Sequence, residues 1–333
     1  MRLIDQVWRG DSVADRIARV ALSPLEMAYR GAVSVRNGLY DKGILTSHEF
    51  PIPVVSVGNV TVGGTGKTPV AAWIVARLHE AGRSPAIVLR GYGYDEPLVH
   101  HRLNPEVPVI VAADRVAGVN EALAHRARVA VLDDAFQHRR AARSIDVVLV
   151  SADAWTGGQR LLPAGPFREP LSGLKRASIV IITRKAASDA SVAAVENAVR
   201  GSGCNVVAVA RLELGGLVRE NAAGDAQPIS VLKGKSVVAV AAIGDPDAFF
   251  TQLRELTPLL TPVAFPDHHA FTDAEISDIA SRGRDADYVV CTLKDAVKLG
   301  SRWPADARPL WYVSLAVRIE RGADSIDELL SRL

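Results

Sequence analysis

Short runs of β-branched and other apolar residues alternate with helix-like stretches from residue 53 onward. The runs begin at Pro53, Pro85, Pro108, Val129, Ile145 and Ser178. Near-continuous apolar strands separated by helices are typical of a parallel sheet that is covered on both faces. The pattern therefore predicts an α/β fold with a mostly parallel sheet flanked by helices.

A second and weaker series of strand-like runs begins at Asn205, Ser236, Tyr288 and Leu310, and it predicts a smaller α/β domain. The stretch 213–235 contains two consecutive glycines and a polar run, which favours a connection between domains. We therefore expect a core domain at residues 41–212, a linker at 213–235 and a smaller C-terminal domain at 236–333.

Residues 1–40 carry apolar side chains at helical spacing. Val13, Ile17 and Val20 predict one amphipathic helix, and the sequence SPLE at residues 23–26 predicts a capping box that starts a second helix. Basic residues outnumber acidic ones in this region. Two interpretations remain open: the helices lie on an anionic membrane surface, or they pack on their own domain.

The composition excludes several classes of protein. Of the 333 residues, 48% are hydrophobic and 23% are charged, which is typical of a globular chain with room for two domains. The net charge of +2 gives no reason to expect a nucleic-acid partner. Cys204 and Cys291 form no C-x-x-C pair, which argues against a thiol-bound zinc ion and suits a reducing cytoplasm. We expect neither a signal peptide nor a membrane-spanning segment.

The most specific motif is GNVTVGGTGKTPV at residues 58–70, between a predicted buried strand and a predicted helix. This context is typical of a P-loop, where backbone N–H groups and a helix N-terminus bind a polyphosphate. Lys67 is expected to reach the β and γ phosphates of ATP, and the Thr68 hydroxyl to bind Mg²⁺. The predicted nucleotide-binding residues are Thr61, Val62, Gly63, Gly64, Thr65, Gly66, Lys67 and Thr68. The plainer interpretation is a glycine-rich turn with a surface lysine, and Thr61 stands where the strict pattern has glycine.

Two adjacent carboxylates, Asp133 and Asp134, follow the apolar run that begins at Val129. Ligands of α/β proteins bind at the carboxyl ends of the strands, where such residues lie. Carboxylate oxygens are ligands that Mg²⁺ prefers. The pair is therefore predicted to hold the magnesium ion of a bound nucleotide.

Two common classes of P-loop protein match poorly. ATPases of the ParA/MinD type carry a lysine where this chain has Val62. The guanine-recognition motif N-K-x-D of GTPases has no good counterpart, because TLKD at residues 292–295 has its lysine one place late. A nucleotide switch is therefore disfavoured.

Several motifs, taken in order, resemble those of the tetraacyldisaccharide 4'-kinases, the lipid A 4'-kinase family. They are the P-loop at 58–70, RGYG at 90–93, DEP at 95–97, DDAFQH at 133–138, LLPAGPFREP at 161–170, LKRA at 174–177, AIGDPDAFF at 242–250, FPDHHAFT at 265–272 and TLKDAVK at 292–298. The resemblance implies transfer of the γ-phosphate of ATP to the 4'-hydroxyl of an acylated glucosamine disaccharide 1-phosphate.

The resemblance also implies roles for single residues. Asp95 and His268 are similar to the Asp/His base pair of the family, and Arg115 to an arginine that can clamp a phosphate. Gln137 and Glu169 match positions near the metal ion and the disaccharide, so Glu169 is expected to serve both. By the predicted boundaries Asp95 and His268 belong to different domains, and closure of a cleft is expected to bring them together.

Three departures from the family pattern stand out. RGYGYDEP at residues 90–97 fuses two motifs that the family usually separates, which affects the placement of Asp95. Ala135 and Phe136 replace the usual Gly-Leu, which changes packing and keeps the polar positions. Leu293 replaces a glutamate, so no role of that carboxylate is transferred to this chain.

The acceptor implied by the resemblance is a lipid, and this favours the membrane interpretation of residues 11–40. We expect a cytoplasmic protein that binds peripherally to the anionic inner face of the inner membrane, with no obligate protein partner. The alternative function is a membrane-associated P-loop ATPase switch that recruits partners and phosphorylates nothing.

Overall fold

The computed structural model describes residues 2–91, 94–221 and 225–333. The chain divides into two compact units. Unit 1 contains Met1–Arg90, Asn104–Arg211 and Ile319–Leu333, and unit 2 contains Gly91–Leu103 and Leu212–Arg318.

The helices and strands follow one another along the chain as follows. The strands are β1 (Val54–Asn59), β2 (Pro85–Leu89), β3 (Val109–Val111), β4 (Val129–Asp133), β5 (Ile145–Ser151), β6 (Ile179–Arg184), β7 (Val207–Arg219), β8 (Ala226–Gln227), β9 (Val237–Ala241), β10 (Leu260–Ala264), β11 (Tyr288–Thr292) and β12 (Leu310–Arg321). The α-helices are α1 (Arg2–Arg9), α2 (Val13–Ala21), α3 (Ser23–Asp41), α4 (Lys67–Glu80), α5 (Asp95–Leu103), α6 (Arg115–Ala124), α7 (Asp189–Gly201), α8 (Pro246–Arg254), α9 (Asp273–Arg282), α10 (Leu293–Leu299) and α11 (Ala323–Ser331).

The sheet of unit 1 has the strand order β7-β6-β5-β1-β4-β2-β3, and its neighbouring strands are parallel. Every residue of β1, β2 and β4 is buried, because helices such as α4 and α6 cover the sheet. This confirms the predicted α/β fold. The chain runs from β1 to strands on one side and later to β5 on the other side, so the carboxyl end of β1 is a switch point where ligands bind.

The strands of unit 2 have the order β10-β9-β11-β12-β7, and β8 pairs with β7 in the antiparallel direction. The helices α8, α9 and α10 follow β9, β10 and β11 in turn, as expected of βα units. The core of this unit contains Val240, Ile279, Val289 and Leu299. Unit 2 is therefore the smaller α/β assembly that the second series of runs predicts.

The limits of the units differ from the predicted division at both ends of unit 2. The segment Gly91–Leu103 belongs to unit 2, because Val99 of α5 packs in its core and Arg102 pairs with Glu220 at 3.0 Å. The C-terminal segment Ile319–Leu333 belongs to unit 1. The amino-acid composition does not change at the boundaries of such discontinuous units, so the pattern of apolar runs in the sequence does not reveal where the units begin and end.

The predicted linker at 213–235 is largely regular structure. Strand β7 continues to Arg219, and β8 and a 3₁₀-helix at Ile229–Leu232 follow, while residues 222–224 lie outside the described part of the chain. The glycines within β7 allow close approach between strands: a Cβ atom on Gly215 would lie 2.5 Å from Ser314 Oγ. A glycine pair that suggests a flexible connection thus marks a tight contact instead.

The N-terminal region forms α1, α2 and α3, one helix more than predicted. The capping box is formed by Ser12 and Asp15 at the start of α2. The predicted box at residues 23–26 is not formed: the Ser23 hydroxyl donates to Arg19 O, and Glu26 accepts from the backbone N–H of Leu161 at 2.9 Å. A long-range partner therefore displaces the local cap. Within the described part of the chain, no helix is long and apolar enough to cross a membrane.

Gly58 illustrates how tightly the sheet of unit 1 packs. A Cβ atom on Gly58 would lie 2.7 Å from the backbone nitrogen and Cβ of Phe136, which is fully buried. We expect Gly58→Ala to lower the free energy of unfolding by about 1–3 kcal/mol, because a packed backbone must move. Urea unfolding measures this loss. Gly31→Ala is the control, since its Cβ meets no atom within 4 Å, and an unchanged midpoint in Gly58→Ala would contradict the packing.

Candidate active site

The predicted phosphate-binding loop lies in unit 1 between β1 and α4. Gly66 is the N-cap of α4 with φ 86°, and Gly63 has φ 107°, conformations that favour glycine. A Cβ atom built on Gly63 or Gly64 would meet no atom within 4 Å, so this side of the loop is open. An open loop at the N-terminus of a helix can hold an anionic phosphate group. The residues present thus fit a nucleotide.

Buried polar side chains hold the loop in place. Asn59 at the end of β1 donates through Nδ2 to Thr65 Oγ1 at 2.9 Å, and Thr183 on β6 donates through Oγ1 to Thr65 O at 2.9 Å. The backbone N–H of Val62 donates to Pro166 O at 2.9 Å, and Thr61 forms an isolated bridge with Phe167. The loop is therefore fixed from the strand behind it and from the segment beside it.

Lys67 is the first residue of α4, and its charge lies near the predicted metal carboxylates. Asp133 ends β4 and is paired in register with Val57 of β1, so it lies beside the strand that leads into the loop. The next residue, Asp134, accepts from Arg168 Nη1 at 2.8 Å and lies 3.9 Å from Lys67 Nζ. The structure thus brings four side chains of unit 1 to one edge of the sheet: Lys67, Asp133, Asp134 and Arg168.

A magnesium ion bound with a nucleotide needs few protein ligands, because phosphate oxygens and water complete its octahedral shell. Among the residues that the structure describes, no group of three or more His, Cys, Asp or Glu side chains is arranged to hold a metal ion. The Thr68 hydroxyl lies on α4, after β1, and Asp133 and Asp134 stand at the end of the neighbouring strand β4. Their binding of the ion stays a prediction, as does that of Glu169.

Arg115, the predicted phosphate clamp, is buried at the start of α6. Its Nη1 donates to Ala112 O at 2.7 Å, and its Nη2 donates to Asp133 O at 3.1 Å. These two bonds tie the turn before α6 to the end of β4. Its contact with a phosphate stays a prediction, and in this structure the guanidinium group orients the backbone of Asp133.

Gln137 and Glu169 are both contacted by α3. Gln137 Nε2 donates to Asn59 O at 2.9 Å, and its own carbonyl accepts from Arg36. Glu169 is buried, and one of its oxygens accepts from Asn37 Nδ2 at 2.9 Å and from Arg176 Nη2 at 2.8 Å. Its other oxygen has no hydrogen-bond partner among the described residues. This oxygen is itself buried, so a ligand can reach it only when neighbouring side chains move.

Asp95 and His268 are in contact within unit 2. His268 Nδ1 lies 3.2 Å from both carboxylate oxygens of Asp95, and Asp95 is buried as the first residue of α5, where a helix N-terminus favours a negative charge. The expectation that the two residues lie in different domains was wrong, because α5 belongs to unit 2. No closure is needed to form the pair.

The contact assigns different roles to the two ring nitrogens of His268. Because the carboxylate of Asp95 accepts, Nδ1 is the nitrogen that carries the proton. Nε2 lies 3.8 Å from the nearest carboxylate oxygen, that of Asp267, and the His268 side chain is 40% exposed. Nε2 therefore carries a lone pair that can accept the proton of a hydroxyl group, as a general base requires.

His138, the last residue of the DDAFQH motif, is the histidine nearest in sequence to the metal carboxylates. Burial is the main cause that lowers its pKa, and the charges of Arg115 and Arg90 lower it further. Its ring is therefore neutral at neutral pH. A neutral histidine beside cations fits a structural position better than a group that must hold a proton.

Sequence patterns missed Asn59, Thr183, Arg168 and Asn37 as supporting residues. Asn59 is the last residue of β1 and Thr183 is the last but one of β6, at the carboxyl edge of the sheet, a position that could have marked them. Arg168 and Asn37 carry no such local signal, because their partners lie far away in the sequence. RGYG at residues 90–93 lies partly outside the described residues, which exclude 92 and 93.

Comparison with known proteins shows which family this chain resembles over its length. The sequence profile of the LpxK family, tetraacyldisaccharide-1-P 4'-kinase, matches residues 18–95 and 94–333. The tetraacyldisaccharide 4'-kinase of Halorhodospira halophila is 36% identical over 98% of this chain and 96% of its own length. That of an Anaeromyxobacter strain is 35% identical over 100% and 98%. A crystal structure of LpxK from Aquifex aeolicus in complex with ATP has a TM-score of 0.74 and 27% identity, and covers 95% of this chain and 99% of that one.

Proposed function

The chain belongs to the tetraacyldisaccharide 4'-kinase family, and on that basis we propose how its residues divide the reaction. It is an ATP-dependent lipid kinase of lipid A biosynthesis, which transfers the γ-phosphate to the 4'-hydroxyl of a tetraacyldisaccharide 1-phosphate. Phosphoryl transfer requires a held nucleotide, an oriented hydroxyl and a group that takes the hydroxyl proton. Different side chains serve these three needs.

The loop at residues 61–68 binds the phosphates of ATP, with Lys67 placed to neutralise charge on the transferring group. Asp134 forms ion pairs with Lys67 and with Arg168, and these contacts fix the side chains around the lysine. Thr68, Asp133 and Asp134 hold Mg²⁺, which supplies positive charge to the phosphate oxygens when it is bound with the nucleotide.

His268 acts as the general base for the acceptor hydroxyl. Its Nε2 takes the proton, and Asp95 orients the ring through Nδ1 and stabilises the charge that the ring acquires. Glu169 and Gln137 are proposed to bind the disaccharide, and the unpaired, buried oxygen of Glu169 accepts from its hydroxyl or amide groups once neighbouring side chains move aside. The contact between Asp95 and His268 is the single structural observation that carries this division of roles, because a switch ATPase needs no base for an alcohol.

Incubation with γ-labelled ATP and a tetraacyldisaccharide 1-phosphate in detergent micelles, followed by thin-layer chromatography, tests this function. Label is expected in the lipid, in proportion to the ADP formed. A disaccharide that already carries a 4'-phosphate is the control and stays unlabelled. ATP hydrolysis with no labelled lipid would instead support the alternative of a membrane-associated ATPase switch.

The N-terminal helices support peripheral binding to a membrane, because their apolar side chains face solvent. Val13, Ile17 and Val20 on α2 are between 64% and 68% exposed, and Leu25 and Met27 on α3 are also exposed. Large exposed apolar patches of this kind mark interaction surfaces. Their occupant is a lipid surface, since the acceptor itself is a lipid.

The opposite face of these helices carries the polar contacts with the rest of unit 1. Glu26 accepts from Leu161 N, and Tyr29 donates to Arg168 O at 3.0 Å. Arg19 donates to backbone carbonyls, as does Arg36, so only part of the basic charge of this region remains available to lipid headgroups. We therefore propose binding by apolar insertion with a smaller electrostatic contribution, at the cytoplasmic face of the inner membrane, where ATP is present.

The membrane proposal predicts that glutamine at positions 13, 17 and 20 releases the protein from vesicles. Burying one such side chain contributes about 1.5–3 kcal/mol, so even partial insertion of three makes the loss at least about tenfold. Co-sedimentation with vesicles of phosphatidylethanolamine and phosphatidylglycerol measures it. Leu259→Gln with Leu315→Gln is the matched control, because these exposed side chains belong to unit 2. Unchanged sedimentation of a folded triple variant would contradict the proposal.

A further inference from the structure

His268 adopts an unusual backbone conformation in the segment between β10 and α9. Its φ is 57°, in the left-handed region that few residues other than glycine occupy. Non-glycine residues keep such a conformation where the surroundings enforce it, often at functional sites. A relaxed backbone at this position would turn the ring in another direction, away from Asp95. The contacts that hold the segment therefore affect the base.

The residue after it, His269, is held on several sides. Its Nε2 lies 3.0 Å from both carboxylate oxygens of Glu275. Its ring stacks on Phe265, with centroids 4.8 Å apart, and meets the edge of Phe271 at 5.3 Å. Its carbonyl accepts from Lys298 Nζ at 3.4 Å. Both the side chain and the backbone of His269 are thus fixed.

Glu275 is itself anchored at the start of α9. Its carboxylate accepts from the backbone N–H of Thr272 at 2.7 Å and from the Thr272 hydroxyl at 2.9 Å. The Thr272 backbone bond, followed by the bond to His269, lowers the pKa of Glu275 to about 2. The carboxylate is therefore ionised throughout the neutral range and remains a constant acceptor for the His269 ring.

We propose that His269 and Glu275 are positioning residues of the kinase: their contact fixes the backbone at His268, so that Nδ1 of His268 meets Asp95. The inference rests on the proposed role of Asp95 and His268 as the base. The two adjacent histidines then have separate tasks, since one takes the proton and the other holds the first in place. Small displacements of a catalytic group are known to cost large factors in rate.

His269→Phe tests the proposal, because phenylalanine keeps a ring to stack on Phe265 and lacks Nε2. We expect kcat to fall by about ten- to a hundredfold while KM for ATP stays unchanged. Glu275→Ala is expected to do the same, and Glu275→Gln, which keeps an acceptor oxygen, to recover part of the rate. The control is Asp278→Ala, which removes an exposed carboxylate of the same helix α9 that pairs with Arg282, and it should keep wild-type kcat.

A double variant separates positioning from general damage. If His269 acts through His268, adding His269→Phe to His268→Ala leaves the residual kcat unchanged. A further multiplicative loss in the double variant, or wild-type kcat in His269→Phe, would overturn the proposal. Wild-type kcat in His268→Ala would instead remove the proposed base itself, so the two failures are distinguishable. Circular dichroism checks that each variant is folded.

Discussion

Replacing His268 by alanine is expected to lower kcat by about two to four orders of magnitude, the range that general-base catalysis contributes. In this variant the imidazole that accepts the proton of the acceptor hydroxyl is missing. Asp95→Asn is expected to cause a similar loss, because it removes the charge that orients and stabilises the ring. Steady-state transfer to the lipid measures both effects. ATP affinity should stay unchanged, since it depends on the loop at residues 61–68 of unit 1.

The double variant Asp95→Asn, His268→Ala should be scarcely slower than the slower single variant, because residues that act as a unit are not additive. Independent losses that multiply would show that the two residues have separate tasks. His101→Ala is the matched control, since this histidine lies exposed on the same helix, α5. A His268→Ala enzyme with wild-type kcat would leave Asp95 alone as the candidate base.

Replacing Lys67 by alanine should also cause a large loss, of about 10²- to 10³-fold in kcat, the effect typical of removing one preorganised charge donor. In the proposed reaction Lys67 neutralises negative charge on the transferring phosphoryl group, and the variant lacks this positive charge. Arg168 is already bound to Asp134 at 2.8 Å and holds the carboxylate, so it does not stand in for the lysine. Transfer at saturating Mg-ATP is the measurement.

Two variants serve as comparisons for Lys67→Ala. Lys42→Ala removes an exposed lysine of the same unit and should leave kcat unchanged. Thr68→Ala is expected to raise the magnesium concentration needed for half-maximal rate, and Thr68→Ser, which keeps the hydroxyl, should restore it. A Lys67→Ala enzyme at near wild-type rate would show that this loop is not where the phosphoryl group is transferred.

The fold of unit 1 was predictable because its signals are local. Apolar strands such as β1, a glycine-rich turn and a helix with Lys67 and Thr68 at its start follow one another directly. The division into units was not predictable from such patterns. Segments such as Gly91–Leu103 join unit 2 through contacts with residues far away in the sequence, for example between Arg102 and Glu220. The sequence Gly215-Gly216 is compatible with a flexible linker and also with a tightly packed strand, so it does not distinguish the two.

The candidate site shows the same contrast. Local motifs identified Lys67, Thr68 and Asp133, whereas Asp95 and His268 came only from resemblance to a family, since 173 positions separate them. Supporting contacts such as that between Asn37 and Glu169 depend on how α3 docks. Their partners belong to distant parts of the chain, so helical spacing carries no information about them.

The N-terminal helices show a limit of periodicity itself. The spacing of Val13, Ile17 and Val20 indicates an apolar stripe but does not tell which way the stripe faces. In the structure Arg160 Nη1 donates to Arg19 O of α2, and Leu161 N donates to Glu26 of α3, while the stripe on α2 is exposed. Long-range polar partners, which the spacing does not show, decide the orientation.

If His268 acts as a base and not as a nucleophile, the phosphoryl group passes from ATP to the lipid in a single in-line step. ATP made chiral at its γ-phosphorus with oxygen isotopes tests this step, because one displacement inverts the configuration at phosphorus. We expect inversion in the phosphorylated lipid. Retention would indicate two displacements through a phosphorylated side chain, and it would contradict the role of His268 as a base.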